Sequence, residues 1–166
     1  MKYFFNKVVI AVLAMLLVAF GVEGASQIAT YYKVSGDEIQ QGDLLVKREG
    51  ELVRADKRYD SDLFGVVANE AAIIFGERQE NSYPIVNSGP ALVRASNSYG
   101  NIIEGDNITA SENPGVGQKA PYSGFVIGRA MESLEEEEGL IKVMINPQEV
   151  TINENKEWSE ITLWEA

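Results

Sequence analysis

The sequence contains no histidine and no cysteine among its 166 residues. Without them the chain cannot carry a Ser-His-Asp or Cys-His nucleophile, a thiolate zinc site or a disulfide bond. Basic residues are also scarce, since 14 Lys and Arg stand against 25 Asp and Glu, a formal net charge of -11. Nucleic acid binding needs Lys and Arg gathered on one face, so this balance argues against nucleic acid as a partner. We expect no cofactor and no catalytic residue.

What the sequence does contain is enough apolar material for a folded core. Hydrophobic residues make up 45% of the chain and charged residues 23%, a composition typical of globular proteins rather than disordered ones. The length suits one domain plus a short additional segment.

The N-terminus carries the clearest local pattern. Lys2 and Lys7 precede an uninterrupted apolar run from Val8 to Phe20, and small residues follow before Ala25. A basic start, an apolar stretch and a small-residue exit are the layout of a secretory signal peptide spanning residues 1–24. The alternative is an uncleaved, helical membrane anchor over residues 4–22, which reaches the length of about 20 residues needed to span a bilayer.

Both alternatives place the rest of the chain outside a membrane, so the predicted location is extracellular, cell-surface or periplasmic. Removing residues 1–24 takes away two Lys and one Glu and leaves 12 basic and 24 acidic side chains, a net charge of -12. That charge repels anionic lipid, so membrane contact is expected only through the N-terminal segment. A small exported domain without disulfides must be compact, oligomeric or both.

The exported part shows a succession of short strand-like segments. They are rich in Val, Ile, Tyr and Phe and are separated by Gly, Pro, Asn, Ser and Asp, which predicts strands joined by turns. The segments are Tyr31 to Val34, Leu44 to Val46, Leu52-Val53, Leu63 to Ala68, Ala71 to Phe75, Tyr83 to Val86, Ala91 to Arg94, Ile108 to Ala110, Phe125 to Ala130 and Leu140 to Ile145. This spacing predicts an all-β fold, a compact barrel or sandwich.

An internal repeat relates these segments. At an offset of 63 residues and with no gap, several residues align with identical ones, among them Ile39, Gly42, Asp43, Tyr59 and Gly65 with Ile102, Gly105, Asp106, Tyr122 and Gly128. Gly can adopt the positive φ of a tight turn, and Asp can close the turn through its side chain. We expect two similar β-units, about 35–75 and 98–146, within one domain spanning 29–146.

The second half of the domain also carries an ordered series of short motifs. They are Tyr83 to Val93, Gly100, Ile103 to Asp106, Thr109 to Ser111, Pro114-Gly115, Lys119-Ala120 and Gly124 to Glu132. Together they resemble a β-rich module found near the ends of bacteriophage tail-fibre-like proteins and in exported, uncharacterised bacterial envelope proteins. The first half, with Gly42-Asp43 and Phe64 to Val67, is similar more loosely to small capsid-decoration proteins of phage.

The resemblance covers about residues 35–146. It implies a compact β fold used in structural assemblies, often trimeric, and it implies no catalytic residue. The chain departs from tail fibres in having an export segment of its own and no long shaft.

Three groups of polar residues are candidates for a binding or catalytic site, in addition to the structural role. Asp60 and Asp62, with Asp43 and Asp106, can supply oxygen ligands to Ca²⁺, although Gly-Asp pairs equally build turns. The acidic run 135–138 can meet a basic partner or a cation, or simply face solvent. Ser111 and Lys119 can form a hydrolytic dyad if the fold brings them together.

The segment 147–166 lies beyond the repeated module and is acidic. Its apolar residues alternate with polar ones, as in half-buried strands. Trp158 and Trp164, the two Trp residues of the chain, are candidates either to cap the domain's own core or to form an interface with a neighbouring subunit. A terminal strand added to a sheet edge is one route to assembly.

The sequence therefore favours a non-enzymatic structural module of the cell envelope or surface. Its expected partners are copies of itself, with a trimer among the options, or another envelope protein. An exported glycan- or cation-binding module is the alternative, and a self-cleaving or other hydrolase is a third hypothesis that depends on the Ser111 and Lys119 pairing alone.

Overall fold

The computed structural model describes residues 27–152. The expected N-terminal helix, Trp158 and Trp164 lie outside these residues. Within the described range the fold is all-β, as predicted, with eleven strands and no helix, and hence no helix that could cross a membrane.

The first six strands form one sheet, which we call the first unit. Their order across the sheet is β3-β2-β4-β6-β1-β5. Their bounds are β1 Ile28–Lys33, β2 Leu44–Arg48, β3 Glu51–Arg54, β4 Leu63–Val67, β5 Ile73–Phe75 and β6 Ser82–Val86.

The remaining five strands form a closed barrel, the second unit, in the order β10-β11-β7-β9-β8. Their bounds are β7 Gly89–Ser96, β8 Asn107–Ala110, β9 Gly117–Lys119, β10 Gly124–Ala130 and β11 Glu138–Val150. The parallel pairing of β7 with β9 closes the barrel, with Ala95 beside Gly117. The long strand β11 continues past residue 146, where the sequence repeat ends.

The two units share one strand order. Starting from β3 in the first unit and β9 in the second, the orders β3-β2-β4-β6-β1 and β9-β8-β10-β11-β7 correspond strand for strand. The first unit also joins back on itself, because Val34, just after β1, forms a parallel bridge with Leu52 of β3. The pair Leu45 with Gly65 recurs as Ile108 with Gly128, 63 residues later. Each unit begins with a strand, β1 or β7, that precedes the repeated segment.

The main hydrophobic core joins the two units. Val66 of β4, Val93 of β7 and Ile127 of β10 are buried in the same cluster. A smaller cluster lies inside the first unit alone, and it contains Val34 and Ile85. Burial of apolar surface across both units makes them parts of one packed body.

The strands match the predicted segments with one addition, β9. Its sequence, Gly-Gln-Lys, contains no apolar residue and gives no strand signal, yet Gln118 is buried in the barrel. A tight turn at Glu49-Gly50 connects β2 to β3, with positive φ at both residues. Two positive φ values are the turn geometry that suits the twist of a hairpin.

Candidate functional site

Gly42 and Asp43 form the tight turn that leads into β2. The Asp43 carboxylate accepts a hydrogen bond from the Gln40 backbone N–H at 3.1 Å, and the Asp43 N–H donates to the Gln40 carbonyl at 3.2 Å. Gly42 has φ +86°, a region that favours glycine. The Gly42 N–H donates to the Val67 carbonyl at 2.8 Å, and the Val67 N–H donates to the Asp43 carbonyl at 3.0 Å. The turn is thereby fixed to the end of β4.

Gly105 and Asp106 repeat this turn ahead of β8. The Asp106 carboxylate accepts from the Ile103 N–H at 2.9 Å, and the Asp106 N–H donates to the Ile103 carbonyl at 3.1 Å. The Gly105 N–H donates to the Ala130 carbonyl at 2.8 Å, and the Ala130 N–H donates to the Asp106 carbonyl at 2.8 Å. All four hydrogen bonds therefore recur at an offset of 63 residues.

The two Asp side chains differ in what neutralises them. Asp43 is fully buried and accepts from Arg94 of the second unit, with Nη2 at 2.6 Å and Nε at 3.2 Å from Oδ1. Asp106 remains within the second unit and pairs with Lys119 at 2.9 Å. The first pair ties the two units together, and the second stabilises one barrel.

Gly65 and Gly128 occupy equivalent positions where strands approach closely. A Cβ on Gly65 would lie 2.7 Å from the Val86 carbonyl oxygen of β6, and one on Gly128 would lie 2.0 Å from the Met144 carbonyl oxygen of β11. Any side chain would push the partner strand away. Both glycines thus allow neighbouring strands to approach closely.

The two carboxylates of the segment Asp60-Ser61-Asp62 contact an arginine side chain and do not form a cation-binding site. Arg48 donates to the buried Asp60 carboxylate and lies 3.4 Å from the Asp62 carboxylate. The Asp62 N–H also donates to Asp60 Oδ1 at 3.0 Å. These two carboxylates, like those of Asp43 and Asp106, are each directed at a basic side chain of the protein.

Among residues 27–152 no three His, Cys, Asp or Glu side chains come together as metal ligands. The acidic run 135–138 is exposed, and its last member, Glu138, lies 3.5 Å from Arg94. The structure does not bring the four candidate Asp ligands to one point.

Ser111 and Lys119 bond to different partners. The Ser111 hydroxyl donates to the Asn113 carbonyl at 3.2 Å and accepts from the Asn113 N–H at 3.1 Å. The Lys119 ammonium pairs with Asp106. A general base for serine must lie within hydrogen-bond reach of the hydroxyl, whereas the Ser111 hydroxyl is bonded to Asn113 and the Lys119 ammonium contacts Asp106.

Tyr59 links the units at the end of the barrel. Its hydroxyl accepts from the backbone N–H of Tyr122, its counterpart in the repeat, at 3.0 Å. Its own backbone N–H donates to the Thr109 hydroxyl at 3.1 Å. The Tyr59 ring lies over Gly124, where a Cβ would come within 2.6 Å of the ring. Sequence comparison alone pairs the two tyrosines but does not predict that they touch.

An open cleft of about 470 Å³ lies between β1, β6 and the loop after β5. Tyr31 and Tyr83 are half-buried in its wall, and the amides of Asn69 and Asn81 also line it. Arg78 is exposed at the cleft. Rings, amides and a cation are the groups that sugar-binding surfaces use, through stacking and hydrogen bonds.

An apolar surface lies exposed at the edge of the first unit. Ile28 of β1 pairs with Ile73 of β5, and Thr30 pairs with Phe75. Paired residues of adjacent strands point to the same side of a sheet. Ile28, Ile73 and Phe75 are 54%, 50% and 56% exposed. We call these three residues the edge patch.

No protein-family model and no curated protein matches the chain. Solved structures that are similar in fold include two of one phage protein. The C-terminal fragment of bacteriophage phi29 gene product 12 superposes with a TM-score of 0.53 and 14% identity, over 72% of this chain and 99% of the fragment. The pre-mature form of the same phage protein gives a TM-score of 0.54 and 15% identity, over 73% of this chain and 21% of the phage protein.

At this identity the likeness concerns the fold alone. The described residues have the fold of a β module that also occurs in a phage protein, which agrees at this level with the phage-type resemblance of the sequence motifs. The chain corresponds to the whole of the C-terminal fragment but to about a fifth of the pre-mature phage protein.

Proposed function

We propose that the protein is a non-enzymatic structural module that is exported and builds or decorates an assembly at the cell envelope or surface. Its partners are copies of itself, with a trimer among the options, or another envelope protein. The N-terminal segment delivers the domain across the membrane, either as a cleaved signal over residues 1–24 or as an anchor over residues 4–22.

One observation carries this proposal: the polar residues that the sequence offers for chemistry are used to hold the scaffold. Asp43 binds Arg94, Asp106 binds Lys119, and Ser111 closes a turn on Asn113. A catalytic or metal-binding site needs such groups directed at one vacant point. Here they are directed at backbone and at opposite charges.

The comparison of folds supports the same conclusion. A fold by itself does not define a function, but likeness to a phage protein module agrees with a role in assembly. The absence of His and Cys removes most common nucleophile and base combinations.

Crosslinking in the producing cell tests this function. The full chain is expressed in an exporting host and treated with an amine-reactive crosslinker, and the products are identified by mass spectrometry. We expect crosslinked multimers of the chain or one recurrent envelope protein. Products containing only the monomer, with the protein abundant, would contradict the proposal.

The cleft at Tyr31 and Tyr83 supports a second candidate, glycan binding. Calorimetry with soluble cell-wall fragments tests it, using Tyr31→Ala and, as the matched control, Tyr99→Ala, a surface tyrosine outside the cleft. Heat that is lost in Tyr31→Ala and kept in Tyr99→Ala would support this function, and absence of heat with the unmodified protein would remove it.

A further inference from the structure

The edge patch combines two features that folded proteins usually avoid on their surface. Within residues 27–152, β5 is the outermost strand of its sheet and pairs with β1 alone. Its outer edge therefore offers unpaired backbone groups next to exposed apolar side chains. Natural proteins normally cover or charge such an edge, because it is a template for another strand.

The size of the patch indicates what kind of partner covers it. Three half-exposed side chains offer roughly 300 Å², whereas a stable interface between two proteins buries about 800 Å² on each partner. The patch is too small to hold a second folded domain and matches a single short strand.

The C-terminal sequence has an apolar pattern that suits such a strand. Ile161 and Leu163 alternate with Glu160 and Thr162, so an extended backbone places both apolar residues on one face. Their spacing of two residues equals that between Ile73 and Phe75. A strand beside β5 thus brings two apolar side chains against two others.

The end of β11 lies within reach of this edge. Val150 of β11 pairs with Gly124, and Gly124 lies under the ring of Tyr59. Tyr59 lies shortly before the start of β4 at Leu63. One row of paired residues crosses the sheet from β4 to β5: Val67, Ile85, Thr30 and Phe75.

The strand pairings make β4 and β5 run in the same direction, so both begin at the end of the sheet near Tyr59. Crossing from β4 to a strand on the outer side of β5 takes four strand spacings, about 19 Å. The nine residues from Ile152 to Ile161 span up to about 30 Å.

We infer that residues 160–164 add to the outer edge of β5 in the same chain, with Ile161 and Leu163 covering the edge patch. The segment of the same chain is favoured over that of a second copy because the linker holds it at a local concentration on the order of millimolar. A contact of this small area does not offset the loss of free motion when two molecules associate. The segment blocks the edge against unwanted pairing with other chains.

Because the chain contains no cysteine, disulfide mapping in the full-length protein tests this inference directly. Leu163→Cys is combined with Phe75→Cys in one variant and with Ile73→Cys in another, so that parallel and antiparallel addition are both covered. The control combines Leu163→Cys with Ile103→Cys, since Ile103 is 57% exposed but lies in the second unit.

Under mild oxidation we expect an intrachain disulfide in one test pair at least tenfold faster than in the control. Rates equal to the control, or disulfides that join two chains, would overturn the inference. The mass of the unmodified protein in light scattering tests the assembly proposal separately, because an intrachain strand addition leaves that mass unchanged.

A second measurement does not depend on cysteines. In the full chain, Ile161→Ser with Leu163→Ser should speed amide hydrogen exchange in the peptide covering β5 by about tenfold or more, with exchange in β8 unchanged. Equal exchange of β5 in both proteins would overturn the inference.

Discussion

The guanidinium of Arg94, in the second unit, donates to the buried carboxylate of Asp43, in the first unit, with Nη2 at 2.6 Å from Oδ1. The Arg94 backbone N–H also donates to the Gly42 carbonyl at 2.9 Å. Side chain and backbone of one residue thus hold the turn of the other unit.

Asp43→Asn should destabilise the protein much more than Asp106→Asn. The first change removes the buried countercharge of a largely buried guanidinium and leaves only the exposed Glu138 carboxylate at 3.5 Å, which costs about 3 kcal/mol. The second affects a more exposed pair and costs about 1 kcal/mol or less. Equilibrium urea unfolding measures both, and equal losses, or a larger loss for Asp106→Asn, would contradict the distinction between the two turns.

Gly128→Ala should be strongly destabilising because its Cβ would lie 2.0 Å from the Met144 carbonyl oxygen. Overpacking of this kind costs about 3 kcal/mol or more. Gly139→Ala is the matched control, since its Cβ meets a single side-chain carbon of Leu134 at 3.1 Å, and it should cost less than about 1 kcal/mol. Thermal unfolding of both variants decides the matter, and a Gly128→Ala protein as stable as the control would show that β10 and β11 are not so close.

Tyr59→Phe should lower the free energy of unfolding by about 1 kcal/mol, because the hydroxyl is the acceptor for the Tyr122 N–H. Tyr122→Phe alters the equivalent tyrosine of the repeat, whose side chain is exposed, and should change stability by less than about 0.5 kcal/mol. Unfolding curves that coincide for the two variants would argue against the Tyr59 bridge between the units.

The purified protein should keep its mass during long incubation at neutral and alkaline pH, and Ser111→Ala should behave identically. Ser111 is bonded to Asn113, and Lys119 is paired with Asp106, so neither residue is free to activate the other. Intact mass spectrometry follows the samples over days. Cleavage of the unmodified chain that Ser111→Ala abolishes would revive the hydrolase hypothesis.

The fold class could be predicted from sequence because each strand carries its own signal. Short runs of β-branched and aromatic residues between turn residues mark ten of the eleven strands, and β9, Gly-Gln-Lys, is the exception. Its strand conformation is set by neighbours on both sides, Ala95 of β7 and Ile108 of β8. Such context lies far away in the sequence and leaves no local pattern.

The turns at Gly42 and Gly105 could be predicted because residue type and backbone conformation are linked directly. The partner of Asp43 could not, since Arg94 lies at the end of a strand segment and nothing in its surroundings marks it. The edge patch could not be predicted from the sequence either. Ile73 and Phe75 have the residue types of a core strand, and only the sheet order shows that β5 lies at the edge.

Multi-angle light scattering over a concentration series tests whether the protein assembles as proposed, with intact mass measured on the same protein purified from an exporting host. We expect a multiple of the chain mass that persists on dilution, or a complex that forms when the envelope protein identified by crosslinking is added. A strictly monomeric protein at the highest concentration, with no partner that changes its mass, would contradict it. The intact mass shows whether residues 1–24 have been removed.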